Sequence, residues 1–122
     1  MIKIRNMKMS DVEKVAELVA LDHNATDYEK GYNEAKQHTL DHLKIVPQHC
    51  YVIETEDNQI VAVMVLHPQE KVFEIEDFHV KQIEKNRGAW ALLKDKLLQY
   101  LETVDTEILC CPYAFKRLIK AD

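Results

Sequence analysis

Glu74, Glu76, Asp77 and His79 crowd one stretch, KVFEIEDFHV, and a glycine-containing basic turn follows it in EKNRGAWALLKDKLL. Three carboxyl groups this close disfavour one another's charged forms, and a partly buried one would have a raised pKa. That would suit proton removal near neutral pH. The alternative is an acidic strand that faces solvent. His79 could act as a base or relay a proton through water, or it could be structural. The turn holds a different chemistry. The first amides of a helix have no intrahelical partners, and the helix dipole favours an anion there by about 0.3–1 kcal/mol. Gly88 permits close approach of a ligand to the backbone, and Lys85 and Arg87 add positive charge. The same residues also fit an ordinary helix start, since short motifs of this kind are common.

These groups must be positioned by regular elements. Ile2 to Arg5 alternates as a short strand. Ser10 opens a helix with the capping-box spacing Ser10–Glu13, and Val12, Val15, Ala16, Leu18 and Val19 form its apolar face. Residues 22–32 read as a loop, Asn33 to Leu43 as a second helix, and Pro47 ends that region. Two β-rich runs in CYVIETEDNQIVAVMVL flank a turn at Asp57-Asn58. A turn at His67-Pro68-Gln69 leads to the strand KVFEIEDFHV. A helix over Gly88 to Val104, the strand TEILCC and a short helix from Tyr113 to Lys120 complete the chain. The order β-α-α-β-β-β-α-β-α predicts an α/β fold with a mixed sheet, an antiparallel meander followed by a parallel crossover. The core is expected to hold Val12, Val15, Leu18, Val52, Ile60, Val63, Val65, Phe73, Ile75, Leu93, Leu97 and Leu101.

The chain has 122 residues, which predicts one domain spanning 1–122. With 47% apolar and 30% charged residues it reads as an ordinary globule. A net charge of −5 argues against a nucleic-acid partner, because phosphate neutralisation needs a basic surface. The longest apolar run, IVAVMVL, is too short to span a bilayer. The N-terminal residues lack the apolar core of a signal peptide. Cys50, Cys110 and Cys111 do not form a disulfide framework and read as buried thiols in a reducing, cytoplasmic setting. His38 and His42 have helical i, i+4 spacing, but no third ligand pattern accompanies them. A solvent-facing pair is expected there, with no metal.

The element order, together with Lys85-Asn86-Arg87-Gly88-Ala89-Trp90 five residues after Val80 and the stripe Leu93, Leu97, Leu98 and Leu101, resembles the GNAT superfamily of N-acetyltransferases. The resemblance covers essentially the whole chain in element order and is sharpest over residues 72–101. In that family a turn of pattern Gln/Arg-x-x-Gly-x-Gly/Ala binds the pyrophosphate of acetyl-CoA. Here Lys85 stands at the first position and Trp90 at the last. An indole there either crowds the phosphates or turns away to pack on the core. The resemblance implies cofactor contacts from Lys85, Asn86, Arg87, Gly88, Ala89 and Trp90. It also places Phe78, His79 and Val80 along the pantetheine, where the fourth and fifth strands splay. Glu74, six residues before Val80, takes the place of the base in histone-type members, with Glu76 beside it and His79 as the other candidate.

A general acid is not evident. The family's Tyr falls four residues after an Ala, and counting from Ala114 reaches Leu118, with Tyr113 off register. The family's Gly-Phe pair and final hairpin have no counterpart before Asp122. The resemblance therefore leaves a minimal member, one completed by a second subunit, or one that has lost activity. Tyr28 and Tyr32 lie where the family shapes its acceptor pocket. Two functions remain open. One is an acetyl-CoA-dependent N-acetyltransferase acting on a small-molecule or protein amine. The other is a GNAT-like binding or structural protein without turnover, of the kind that resembles bacteriophage-encoded, virion-associated proteins. An uncovered apolar strand over Thr106 to Cys110 would invite pairing with another chain, most simply as a homodimer.

Overall fold

Strands with apolar residues on both faces need cover on both sides, and that requirement shapes this molecule. The structure is a computed structural model that describes residues 2–22, 28–68, 72–82, 85–103 and 107–110. In chain order the elements are β1 (Lys3–Asn6), a 3-10 turn (Met9–Asp11), α1 (Val12–Asp22), α2 (Tyr28–Ile45), a second 3-10 turn (Pro47–His49), β2 (Cys50–Glu54), β3 (Ile60–Pro68), β4 (Val72–Val80), α3 (Arg87–Thr103) and β5 (Glu107–Cys110). The five strands form one sheet in the order β1-β2-β3-β4-β5. Neighbours are antiparallel from β1 to β4, and β5 runs parallel to β4. The meander and the parallel crossover through α3 are thus as the sequence implies. The helix expected over Tyr113 to Lys120 and any role for Cys111 lie outside the described residues.

The central hairpin separates two apolar layers. Val52, Val63 and Val65 pack with Val15, Ala16, Leu18 and Val19 of α1 and Ala35 of α2. Tyr51, Ile53, Ala62, Met64 and Leu66 pack on the other face against Ala89, Leu93 and Leu97 of α3. Burial on both faces explains why β2 and β3 read as near-continuous apolar runs. Asn58 turns the hairpin with φ 61°, a left-handed conformation that Asn tolerates. Its N–H donates to the Thr55 carbonyl at 3.0 Å. The expected core residues Val12, Val15, Leu18, Val52, Ile60, Val63, Val65, Leu93 and Leu97 are all buried. The side chains of Phe73, Ile75 and Leu101 lie outside the described residues.

The entry to α1 differs from the expected capping box. Lys8 N–H donates to Asp11 Oδ2 at 2.8 Å, so the capping carboxylate is Asp11 rather than Glu13. A 3-10 turn over Met9–Asp11 moves the start of α1 to Val12. The physical reason is Arg5. Its guanidinium donates to Asp11 Oδ2 at 2.7 Å and Oδ1 at 2.9 Å, and to Glu54 Oε2 at 2.8 Å. Asp11 is 5% exposed, so this fork ties β1, the helix entry and β2 together out of bulk water. The second helix also begins earlier than expected, at Tyr28, and runs to Ile45.

Two outcomes follow. Leu97, 1% exposed on the α3 stripe, is expected to cost about 2–5 kcal/mol on Leu97→Ala; an unchanged melting midpoint would show that α3 presents a different face. Burial resists ionisation of Asp11, but the Arg5 hydrogen bonds and the Lys8 amide outweigh it and hold the carboxyl below its ordinary range. An Asp with a depressed folded pKa contributes stability above its unfolded value of about 3.9, and that contribution is lost as pH falls through the folded pKa. Asp11→Asn is therefore expected to destabilise by about 1–3 kcal/mol at pH 7. The gap from the parent should narrow below about pH 4 in urea titrations. A gap independent of pH would show that the Asp11 charge is not what the fork uses.

Candidate functional site

The turn between β4 and α3 is built by main-chain bonds. Lys81 N–H closes onto the Val61 carbonyl at 2.8 Å, extending the β3–β4 ladder by one residue. Gln82 then adopts φ 45°, and its carbonyl accepts from Lys85 N–H at 2.8 Å and Asn86 N–H at 3.1 Å. The Asn86 side-chain amide donates back to the Lys81 carbonyl. Trp90 N–H donates to the Asn86 carbonyl at 3.2 Å, which opens the helix. The amides of Arg87, Gly88 and Ala89 therefore lie in the first turn, ahead of any intrahelical acceptor.

The side chains around these amides divide by face. Lys85, Arg87 and Gly88 are exposed, whereas Ala89 is fully buried. Trp90 is half-buried against the α3-side cluster. Of the two orientations open to the indole, packing on the core is the one observed. Gly88 does not use a left-handed conformation, since the turn's positive φ falls at Gln82. A Cβ on Gly88 would stand 3.3 Å from Ile2 Cδ1, the flexible end of a half-buried side chain. An anion could reach the first turn at the exposed Arg87 and Gly88, with the Lys85 and Arg87 side chains at the rim, while Ala89 is covered. The residues present thus fit a pyrophosphate at this turn.

On β4, register sets Val80 opposite Ala62, His79 opposite Val63, Phe78 opposite Met64 and Glu74 opposite His67. His79 is 9% exposed and stands on the α1/α2 face with Val63, whereas Val80 packs on the α3 face. A bulge between Val65 and Leu66 of β3 leaves Glu76 without an opposite residue. Alternation along β4 is interrupted there, so Glu74 and Val80 are not on one face by register, as unbroken alternation would make them. The side chains of Glu74, Glu76 and Phe78 lie outside the described residues. Pairing with β5 covers Val72, Phe73 and Glu74. From Ile75 to Val80 the described pairing is with β3 alone.

A cleft of about 200 Å³ opens beside the turn on the α1 face, lined by Lys14, Glu17 and Leu18 of α1, Asn58 and Ile60 of the hairpin, and Lys81. Lys14 Nζ donates to the Asn58 carbonyl at 3.1 Å. Sequence reading did not find this cleft, because its walls come from three separated segments. His38 is exposed but His42 is buried, with ring centroids 4.1 Å apart, which corrects the expected solvent-facing pair. Position 42 falls on the α2 face turned towards α1, on the same side as Ala35 and Thr39. No cluster of three metal-binding side chains occurs among the described residues. No helix among them is long and apolar enough to cross a membrane.

No family model and no curated protein matches the sequence. Solved structures do match the fold. A Pyrococcus horikoshii protein named provisionally as an acetyltransferase superposes with a TM-score of 0.80 at 21% identity, over 98% of this chain and 42% of that one. A GCN5-related N-acetyltransferase from Ralstonia eutropha superposes with a TM-score of 0.67 at 17% identity, over 99% of this chain and 90% of that one. The fold is that of the GNAT acetyltransferases. A Bacillus halodurans transcriptional regulator shares this GNAT fold, with a TM-score of 0.68 at 16% identity over 99% of this chain and 91% of that one. The chain spans less than half of the Pyrococcus protein and nearly all of the other two.

Proposed function

We propose that the chain is an acetyl-CoA-dependent N-acetyltransferase that acts on an amine of a small molecule or a protein. One observation carries the reading: in a GNAT fold, the first turn of α3 is exposed at Arg87 and Gly88, and Trp90 packs half-buried on the α3-side cluster. Acetyl-CoA supplies an already activated thioester, so the protein's work is to orient the amine, take its proton and stabilise an oxyanion. Lys85, Asn86, Arg87, Gly88 and Ala89 would hold the pyrophosphate. Arg87 and Lys85 contribute charge, and Asn86 fixes the turn through the Lys81 carbonyl. The β4 main chain at Phe78, His79 and Val80 would hold the pantetheine, on the edge where described pairing with β5 stops at Glu74. Glu74, Glu76 and His79 are the candidate proton acceptors. His79 is the one among them that the structure shows to be buried.

Titration calorimetry with acetyl-CoA, followed by thiol release on a panel of amines, tests this reading. The parent is expected to bind. Gly88→Glu is expected to fold, because its Cβ meets only the end of Ile2, and to lose binding through a carboxylate at the phosphate position. Equal affinity for parent and variant would place the site elsewhere. A second reading is a GNAT-fold protein that binds without turnover, including a phage-encoded virion protein. It is favoured by the Bacillus halodurans regulator, which has this fold under a non-enzyme name. Binding without thiol release on any amine would select it.

Self-association through β5 belongs to the same proposal, with cytoplasmic residence and without nucleic acid or membrane as partner. β5 is at the edge of the sheet among the described residues, and an apolar edge strand offers unpaired backbone groups to a second copy. Light scattering at micromolar concentration is expected to give twice the 14.3 kDa chain mass. A clean monomer would remove the dimer.

A further inference from the structure

We propose that Ile2 is a positioning residue for the β4–α3 turn: one methyl of its side chain props the start of α3 and keeps position 88 without a side chain. This rests on the acetyl-CoA reading above and adds a residue that acts through Gly88 rather than by contact with the cosubstrate. Ile2 is half-buried and packs against the α3-side cluster that holds Ala89. Its Cδ1 lies 3.3 Å from the point that a Cβ on Gly88 would occupy. Apart from the helix's own backbone and the two chain neighbours, no other heavy atom among the described residues comes within 4 Å of that point. Gly88 does not have a positive φ, so the backbone does not demand glycine there. Alanine is the better helix former. The glycine therefore has a steric account, and Ile2 Cδ1 supplies it.

The methyl works as a stop because the chain behind it is held. Ile2 leads directly into β1, where Lys3 and Ile4 pair with Glu54 and Ile53 of β2. Two residues further on, Arg5 is tied to Asp11 and Glu54. With its backbone fixed in this way, Ile2 yields by side-chain rotation alone. The start of α3 then rests on a contact whose length is set by one side chain from a distant part of the sequence. Backbone amides hold an anion only where they point at it, and a misplacement of about 1 Å can cost on the order of 10²-fold.

The probe is acetyl-CoA, titrated calorimetrically into the full chain well below the melting midpoint of each variant, so that lost stability alone does not register as lost affinity. Ile2→Val and Ile2→Ala remove Cδ1, whereas Ile2→Leu keeps a δ-methyl. The two truncations are expected to weaken binding about fivefold, and Ile2→Leu to keep the parent affinity. Gly88→Ala is expected to weaken binding in the parent and to do so less in the Ile2→Val background, a coupling that two independent structural lesions do not show. Unchanged affinity in Ile2→Val, or additive effects of Ile2→Val and Gly88→Ala, would overturn the assignment while leaving the acetyl-CoA reading intact. Failure of the parent to bind would remove that reading and this inference with it.

Discussion

The β2–β3 hairpin is apolar on both faces, and most of the architecture is a response to that. Val52, Val63 and Val65 must be covered on one side, and Ile53, Met64 and Leu66 on the other. A lone pair of strands cannot do this. The chain supplies α1 and α2 to one face and α3 to the other. Because α3 must cross back over the sheet to cover its face, the polypeptide leaves β4 by a short turn and enters the helix immediately. The helix start, exposed at Arg87 and Gly88, is thus a by-product of core burial. Ala89, Leu93 and Leu97 point one edge of α3 inwards, and Gly88 stays exposed beside the end of Ile2.

Electrostatics secures the edge of the sheet. β1 has four residues and adds little apolar area to either layer. What anchors it is the Arg5 fork, which reaches the helix entry through Asp11 and the neighbouring strand through Glu54. A bidentate guanidinium–carboxylate pair with one oxygen shared by a backbone N–H fixes direction as well as distance. Ile2 follows from that anchoring and lies beneath Gly88, so the strand edge and the candidate phosphate turn are mechanically adjacent.

The turn itself combines two solutions to one problem. A sharp reversal after Val80 needs a left-handed residue, and Gln82 takes that conformation although a glycine would do so at less cost. Asn86 compensates by bonding its side chain to the Lys81 carbonyl, which closes the loop over itself. The surrounding charge is supplied by exposed side chains, Lys85 and Arg87 on the α3 side and Lys81 on the α1 side. A main-chain arrangement and the exposed cations Lys81, Lys85 and Arg87 therefore meet at this end of the molecule.

By itself the sequence determined what is local or periodic. The Asp57-Asn58 turn, the strand runs on either side of it, the stripe at Leu93 and Leu97 and the helix start at Gly88 could be read because each depends on near neighbours or on a repeat of 2.0 or 3.6 residues. The resemblance in element order gave the topology. Tertiary structure alone decided features that join distant segments. Asp11 became the capping group because Arg5 claimed it from another strand, and His42 was buried because α2 packs on α1. Trp90 packs half-buried on the α3-side cluster, whose strand residues are distant from it in sequence. The bulge at Glu76 shifted the face of Glu74 relative to Val80, a change of register that unbroken alternation cannot announce. The cleft between Lys14 and Lys81 exists only where three segments meet, so no spacing along the chain could have revealed it.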